Sequence, residues 1–218
     1  MPRRPAVEDV NGFLVLRGFF DRQTQEALVA ACLDVARDAP FFTPTMGDGR
    51  PFRIEMTNAG EWGWLSDRTG YRYARHHPLT GRAWPPLPPL LLTSMRCALA
   101  ETSGLAVAEA FGPQCFLINR YSAERRGRLG LHRDEDERDR SQPIVTLSLG
   151  ADAVFLAGGL TRRDPVERVI VGSGDVVVMG GRSRMAYHGV DRLLPTLATP
   201  MAEGLRLSVT ARRVDIVT

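Results

Sequence analysis

The feature that most constrains the fold is a series of short apolar segments that begins after residue 113 and continues almost to the end of the chain. The segments are residues 115–121, 144–149, 154–157, 168–171, 175–179 and 205–212. They are rich in Val, Ile and Leu, and clusters of Gly, Pro, Asp and Ser separate them. Many short strands with turn residues between them are typical of a sandwich or jelly roll. We therefore predict an α+β, mainly β fold with a C-terminal jelly roll.

The N-terminal part of the chain has helical patterns instead. Residues 21–38 predict an amphipathic helix with Asp21 as its N-cap. Residues 88–102 predict a second helix, because prolines surround its start and Gly104 follows its end. Helices in the first third of the chain thus precede the predicted jelly roll.

The segment between the two helices, residues 43–86, is rich in Gly, Pro, Trp and Tyr. Its apolar runs predict strands near residues 52–57 and 71–74. We interpret it as a surface cover rather than as core. The predicted division is an N-terminal part, residues 1–112, packed on a core of residues 113–218 as one structural unit.

The composition excludes several classes of protein. No stretch approaches the roughly 20 apolar residues of a membrane-spanning helix, and the start of the chain lacks the apolar run of a secretory signal. The 3 cysteines form no CxxC motif, which favours a reducing, cytoplasmic setting. All 28 basic residues are arginine, so lysine Schiff-base chemistry is excluded. The net charge of +3 does not by itself indicate nucleic acid.

Three residues have the chemistry of an iron site. His132 and Asp134 form an HxD motif, and on an extended segment both side chains point to one side. With His188 they complete the two-histidine, one-carboxylate set of non-haem iron(II) oxygenases. The spacing leaves open that His188 is a hydrogen-bonded core histidine and that HxD is a surface turn. We interpret His76 and His77, the other two histidines, as solvated loop residues.

The last predicted strand has one apolar and one polar face. Residues alternate between the faces of a strand, so the polar side chains that share a face are Arg206, Ser208, Thr210 and Arg212. Buried arginines need anions, and two of them suit the two carboxylates of 2-oxoglutarate. The alternative is a ladder of solvent-facing arginines on an edge strand.

Taken together, these residues resemble the AlkB family of DNA and RNA dealkylases, in particular the bacterial AlkB type. The resemblance extends from about residue 41 to residue 213. The motifs that carry it are, in chain order, INRY at 118–121, HxDxDE at 132–137, GDVVV at 174–178, YHG at 187–189 and RxSxTxR at 206–212. The chain departs from the bacterial pattern at Arg133, where that pattern has glutamine, and at Ser208, where it has asparagine.

The resemblance implies a double-stranded β-helix and an Fe(II)- and 2-oxoglutarate-dependent dioxygenase that uses O2. It implies metal ligation, and hence catalysis, by His132, Asp134 and His188. The residues that it implies for 2-oxoglutarate are Asn119, Tyr121, Arg206, Ser208 and Arg212. It further implies repair of N-alkylated bases, such as 1-methyladenine and 3-methylcytosine, by oxidative demethylation that releases formaldehyde and succinate.

The resemblance also implies a nucleotide-recognition lid. The substrate-binding residues implied by it are Met56, Trp64, Tyr71, Tyr73, Asp136 and Arg162. In this interpretation Trp64 stacks a flipped base against His132, and Asp136 faces the exocyclic amine of that base. From composition alone, the aromatic residues would form a small core under a long loop. Asp136 would then be a solvated carboxylate.

Several further arginines are candidates for contacts with phosphates. They are Arg53, Arg72, Arg75, Arg120, Arg125, Arg126, Arg128, Arg133 and Arg163. The expected partner is alkylated single-stranded DNA, with double-stranded DNA and RNA as further candidates, and we expect a monomer that does not bind membranes. Two alternatives stay open. One is the same oxygenase chemistry on a modified tRNA, a protein or a small molecule, and the other is a non-catalytic jelly roll that binds metal or nucleic acid.

Overall fold

The computed structural model describes residues 6–197 and 199–215. Its helices are α1 Arg22–Asp38, α2 Pro89–Ser103 and α3 Leu105–Ala110. Its strands are β1 Val7–Val10, β2 Phe13–Leu16, β3 Glu55–Gly60, β4 Gly63–Asp67, β5 Gly70–Ala74, β6 Cys115–Ser122, β7 Leu129–His132, β8 Ile144–Gly150, β9 Ala153–Ala157, β10 Glu167–Val171, β11 Val176–Met179, β12 His188–Leu193 and β13 Leu205–Arg212. Among the described residues, no helix is long and apolar enough to cross a membrane.

The two predicted helices form at the expected positions. The carboxylate of Asp21 accepts a hydrogen bond of 2.8 Å from the backbone N–H of Thr24, which confirms the N-cap of α1. Helix α2 begins at Pro89, and Gly104 follows its last residue with φ at +87°. A residue with a side chain would be strained at that φ, so Gly104 suits the end of the helix.

Two antiparallel sheets form the predicted jelly roll. The larger sheet has seven strands in the order β1-β2-β11-β8-β13-β6-β3, and the smaller has four in the order β10-β9-β12-β7. Buried residues of α1 and α2 pack with Ile118, Leu147 and Val209 of the larger sheet in one apolar cluster. Because the helices cover one face of this sheet, its other face is left to form the site.

The N-terminal part contributes more to the core than the sequence indicated. Strands β1 and β2, which the sequence analysis missed, join the larger sheet beside β11, and β3 joins it beside β6. The larger sheet therefore contains strands from both sides of the predicted division between residues 112 and 113. The interpretation of residues 43–86 as a surface cover is wrong for β3, whose Met56 and Ala59 are buried. Strands β4 and β5 form a separate two-stranded hairpin, the lid hairpin.

Strand β13 lies between β6 and β8 in the larger sheet, so it is a central strand and not the edge strand of the alternative interpretation. Its alternation is as predicted. Leu207, Val209 and Ala211 belong to the apolar cluster beneath the helices. The polar side chains of Arg206 and Arg212 are also buried, because they face the space between the two sheets. The strand that lines the site is thus hydrogen-bonded to a neighbouring strand on each side.

Candidate active site

The predicted metal ligands meet at one end of the smaller sheet. His132 ends β7, His188 begins β12, and the two residues are register partners in this antiparallel pair. Asp134 follows β7 by two residues, and its carboxylate lies 3.7 Å from Nε2 of each histidine. One ligand atom from each of the three residues lies within 4.8 Å of the others. The arrangement excludes the interpretation of HxD as an unrelated surface turn.

Both histidine rings are oriented for ligation through Nε2. Nδ1 of His132 lies 2.9 Å from the carbonyl oxygen of Gly130, and Nδ1 of His188 lies 3.2 Å from that of Ala186. A ring that donates from Nδ1 keeps the lone pair of Nε2 for a metal. Burial, followed by the charge of His132, lowers the pKa of His188 to about 4. His188 is therefore neutral at neutral pH, which is the form that binds a metal.

Asp134 is buried and ionised. Burial alone would raise its pKa, but the charges of Arg212 and the two histidines lower that pKa to about 2. Nη2 of Arg212 lies 2.9 Å from the carboxylate and donates to Oδ1. The other oxygen, Oδ2, also lies 2.9 Å from Nη2 of Arg212 but accepts no hydrogen bond of suitable geometry from the described residues. A buried carboxylate oxygen without a donor fits a cation at this position.

The neighbouring arginine on β13 has the geometry of an anion site. Arg206 is only 3% exposed, and its Nη2 donates to the hydroxyl of Ser148 at 2.8 Å. Its Nε and Nη1 have no hydrogen-bond partner among the described residues. Burial lowers the pKa of Arg206, and a buried guanidinium with free donors is costly unless an anion binds it. The buried Oδ1 of Asn119, on the adjacent strand β6, also lacks a donor.

Metal and anion positions open into one cavity of about 440 Å³. Its lining contains nearly all of the predicted site residues, namely Met56, Trp64, Tyr71, Asn119, Tyr121, His132, Asp134, Asp136, Arg162, His188, Arg206, Ser208 and Arg212. Tyr73 is the exception, since it is not among the lining residues. Arg133, one of the two departures from the bacterial pattern, also lines the cavity and donates from Nε to Glu135 at 2.9 Å.

An aromatic wall stands at the mouth of this cavity. The rings of Trp64 and Tyr71 are stacked, with centroids 5.5 Å apart and an interplanar angle of 24°. Nε1 of Trp64 donates to the carboxylate of Asp136 at 2.8 Å. Met56 is 1% exposed and lies deeper, on β3. The aromatic residues of the lid hairpin are thus part of the cavity wall as well as of a small core.

Comparisons with known proteins agree with this geometry. Residues 12–212 match the 2OG-Fe(II) oxygenase superfamily. The chain is 42% identical to the alpha-ketoglutarate-dependent dioxygenase AlkB homolog of Caulobacter vibrioides, over 94% of this chain and 88% of that protein. This chain belongs to the AlkB family.

One further relative and one solved structure extend the comparison. The DNA N(6)-methyladenine demethylase ALKBH1D of Arabidopsis thaliana is 30% identical over 88% of this chain and 45% of that protein. The solved structure of OsALKBH1 matches with a TM-score of 0.81 and 27% identity, over 95% of this chain and all of that chain. The double-stranded β-helix of the AlkB family is therefore confirmed for this chain.

As an AlkB-family dioxygenase, the protein uses Fe(II), 2-oxoglutarate and O2. The residues present fit these groups. Two histidine nitrogens and an ionised carboxylate suit Fe(II) and leave open positions on it. The free donors of Arg206 suit a carboxylate. Arg212 is less free than the two-arginine interpretation assumed, because its guanidinium already contacts Asp134 and Glu137.

The interpretation of His77 as a solvated loop residue is wrong. His77 is not solvated but 1% exposed, and it packs against the rings of Phe42 and Trp84. Its Nε2 lies 2.7 Å from the carbonyl oxygen of Pro40, so His77 is a structural residue of the core. His76 is exposed, as predicted.

Several of the candidate phosphate contacts already have partners within the protein. Arg120 and Arg125 both pair with Glu55, at 2.7 and 3.1 Å. Arg72 pairs with Asp67 at 2.6 Å, and Arg75 lies 4.2 Å from the ring centroid of Trp62. The candidates that make no ion pair with a described residue are Arg53, Arg126, Arg128, Arg162 and Arg163.

The sequence analysis missed two charged residues next to the site. Glu137 is 2% exposed and Arg184 is 6% exposed, and they form an ion pair of 3.3 Å. Nη1 of Arg184 donates to the backbone oxygen of Asp134 at 3.0 Å and so fixes the loop that carries this metal ligand. Glu137 ends the HxDxDE motif, but in a run of acidic residues nothing marked it as buried. Arg184 has no local signal at all.

Proposed function

We propose that this AlkB-family enzyme repairs N-alkylated bases, such as 1-methyladenine and 3-methylcytosine, by oxidative demethylation of DNA. The observation that carries the proposal is the stacked pair of Trp64 and Tyr71 in the wall of the cavity that also contains the metal ligands. A planar base that enters this cavity finds an aromatic face on one side and the iron site at its end. Among the relatives, ALKBH1D is named a DNA demethylase, which supports a nucleic acid as the substrate.

The metal and oxoacid positions define the chemistry. We propose that His132, Asp134 and His188 hold Fe(II), and that Arg206 binds one carboxylate of 2-oxoglutarate beside Asn119, Tyr121 and Ser208, with Arg212 nearby. With these groups and O2 bound, the site oxidises a C–H bond while 2-oxoglutarate is converted to succinate and carbon dioxide. Oxidation of an N-methyl group gives an unstable N-hydroxymethyl group, which leaves as formaldehyde and restores the base.

The lid hairpin supplies contacts for the base. An alkylated base must leave the stack of its strand to reach the cavity, and stacking on an aromatic ring contributes about 1–3 kcal/mol per base. We propose that Trp64 stacks on the base and that Met56 lies against it. Asp136, which Trp64 holds through Nε1, accepts a hydrogen bond from the exocyclic amine. Its charge also favours a base that N1-methylation has made cationic.

A phosphate contact is proposed for Arg162. Its guanidinium lies 5.5 Å from the ring centroid of Tyr187, and its Nη2 donates to the carbonyl oxygen of Leu131 at 2.9 Å. Arg162 makes no ion pair with a described carboxylate, so its charge is available to a phosphate at the mouth. Arg133 faces the same tyrosine ring at 5.4 Å, but Glu135 partly neutralises it.

We also propose that the enzyme acts as a monomer in the cytoplasm, on single-stranded DNA first. All three cysteines are free, and Cys32 and Cys115 are buried, which agrees with a reducing compartment. Single strands are favoured because an unpaired base needs less energy to leave its stack than a paired base.

The test is demethylation of short single-stranded oligonucleotides that carry 1-methyladenine, 3-methylcytosine or N6-methyladenine. Purified protein receives Fe(II), 2-oxoglutarate and ascorbate, and His132→Ala serves as the control. We expect loss of the methyl mass and release of formaldehyde with the first two oligonucleotides, and neither with the control. Turnover of N6-methyladenine alone would contradict the proposed lesions, and succinate without demethylation of any oligonucleotide would indicate a protein or small-molecule substrate. Absence of succinate would contradict catalysis.

A further inference from the structure

Tyr73 belongs to the lid hairpin but does not line the cavity. In the register of β4 and β5, Tyr73 pairs with Trp64, so these side chains share one face of the hairpin with Tyr71. Trp64 and Tyr71 line the cavity, whereas the hydroxyl of Tyr73 donates to Oε1 of Glu137 at 2.6 Å. Burial raises the pKa of Tyr73 well above its usual value, so the hydroxyl keeps its proton and stays a donor.

Glu137 connects Tyr73 to the oxoacid side of the site. Its side chain is 0% exposed and lies between two guanidinium groups. Arg184 is 3.3 Å from Oε2, and Arg212 is 3.4 Å from Oε1. A buried carboxylate depends on such partners for its charge, so its position is fixed by all three hydrogen-bonded neighbours together.

Arg212 completes the connection. Its Nη1 lies 3.3 Å from the hydroxyl oxygen of Tyr73, and its Nη2 lies 2.9 Å from the carboxylate of Asp134. Its buried Nε has no partner among the described residues, and the residue lines the cavity next to Ser208 and Arg206. A continuous set of hydrogen bonds therefore joins the lid hairpin, through Tyr73 and Glu137, to the oxoacid site and to a metal ligand.

We propose that Tyr73 is a positioning residue that acts through Glu137 on Arg212, so that binding of a base to the lid hairpin and binding of 2-oxoglutarate strengthen each other. Such coupling is reciprocal, since each ligand must change the affinity for the other by the same factor. The base part of this inference rests on the proposed function, whereas the effect of Tyr73 on 2-oxoglutarate does not.

The second hydrogen bond of the lid hairpin has a different role. Trp64 donates to Asp136, but no ion pair or hydrogen bond to another described side chain connects Asp136 to Arg206 or Arg212. We therefore assign base contact to Trp64 and Asp136, and assign the link to the oxoacid site to Tyr73 and Glu137.

The first arm of the test measures the dissociation constant of 2-oxoglutarate by calorimetry. The protein is loaded with Mn(II) and no nucleic acid is present, so the readout does not depend on turnover. We expect Tyr73→Phe to raise this constant roughly three- to ten-fold, because a hydrogen bond to a buried charge is lost. Tyr71→Phe is the matched control. It removes a hydroxyl from the same face of the hairpin, the residue is 58% exposed, and 2-oxoglutarate binding should stay unchanged.

A dissociation constant for Tyr73→Phe within about two-fold of wild type overturns the inference. An equal rise in Tyr71→Phe overturns it as well, because the effect would then belong to the hairpin in general. Thermal unfolding of both variants shows whether they are equally folded.

The second arm measures binding of a 1-methyladenine oligonucleotide to the Mn(II) protein with and without 2-oxoglutarate. We expect 2-oxoglutarate to lower the dissociation constant of the oligonucleotide in wild type. The ratio of the constants without and with 2-oxoglutarate should fall towards one in Tyr73→Phe. An enhancement that Tyr73→Phe leaves intact overturns the coupling. Failure of wild type to bind the oligonucleotide counts against the proposed function alone, since the first arm still decides the role of Tyr73.

Discussion

The two ligands of this enzyme meet parts of the fold that differ in how they are held. The oxoacid side is built on β13, a strand paired on both sides within the larger sheet and packed beneath the helices. The base side is built on the lid hairpin, a separate two-stranded sheet with an exposed Tyr71. Oxoacid binding is thus part of the central sheet, whereas substrate binding depends on a hairpin outside that sheet. Leu65 of the hairpin packs in a second apolar cluster, and side-chain hydrogen bonds join Trp64 and Tyr73 to Asp136 and Glu137. Changes on β13 should therefore affect every substrate, whereas changes on the hairpin, apart from those at Tyr73, should affect only the nucleic acid.

The largest effect is expected at the metal. Asp134→Ala removes the one buried carboxylate between the two histidines and leaves Arg212 without its closest anion. We expect loss of Fe(II) binding and of succinate formation with any substrate, as measured by metal content after dialysis and by succinate release. Asp191→Ala is the control, since Asp191 lies on β12 and pairs only with Arg192 among the described residues. Retention of bound iron in Asp134→Ala would contradict the assigned ligand.

The next effect is expected at the oxoacid. Arg206→Met keeps much of the side-chain volume but removes the buried guanidinium with its free donors. Truncation of a buried charged partner costs about 2–5 kcal/mol, so we expect KM for 2-oxoglutarate to rise at least about 30-fold. Affinity for the oligonucleotide, measured without 2-oxoglutarate, should stay nearly unchanged. Arg168→Met, an exposed arginine on β10, is the control. An unchanged KM for 2-oxoglutarate would show that a residue other than Arg206 binds its carboxylate.

A smaller effect that separates the two regions is expected at the aromatic wall. Trp64→Ala removes the proposed stacking surface, worth about 1–3 kcal/mol per base, and should weaken binding of the methylated oligonucleotide. The dissociation constant of 2-oxoglutarate, measured without nucleic acid, should stay the same. Trp64→Phe keeps an aromatic face and loses only the hydrogen bond to Asp136, so it should bind better than Trp64→Ala. Equal loss in both variants would show that Asp136, and not stacking, dominates. Fluorescence anisotropy under anaerobic conditions measures these affinities.

The smallest effect is expected from Arg162→Ala. A single phosphate contact contributes about 1 unit to the slope of log affinity against log salt concentration. Removal of such a contact weakens binding about equally for all nucleic-acid sequences. We expect a modest loss of affinity at low salt and no change in the preference between lesions. Arg192→Ala, on the exposed side of β12, should leave the salt slope unchanged. A change in lesion preference in Arg162→Ala would indicate base contact instead.

The same contrast explains what could be predicted from the sequence. The polar face of β13 follows from strand alternation, a local rule that the structure confirms. The pairing of His132 with Asp134 is also confirmed, although Asp134 lies two residues beyond the end of β7. Six of the eight described strands after residue 113 likewise carry their own turn signals, and their predicted bounds differ little from the observed ones. The other two, β7 and β12, which carry His132 and His188, were not predicted as strands. Motif order then gave the family resemblance that joined His188 to the other two ligands.

What could not be predicted depends on contacts between distant segments. Strands β1 and β2 have no alternation that distinguishes them from a loop, and they become strands because β11 offers an unpaired edge. His77 is polar by composition but is buried between Phe42 and Trp84. Glu137 is buried because Arg184 and Arg212 approach from the far end of the chain. No local pattern contains this information.

The measurement that tests the account most directly is the amount of succinate formed per formaldehyde released when wild-type protein meets a 1-methyladenine oligonucleotide. If the cavity places the methyl group at the iron site, the oligonucleotide should stimulate succinate formation, and the two products should appear in nearly equal amounts. Succinate formation that the methylated oligonucleotide does not stimulate beyond its unmethylated counterpart, with no formaldehyde, would contradict the account. The Fe(II) and 2-oxoglutarate sites would then be retained, and the alkylated base would be rejected as the substrate.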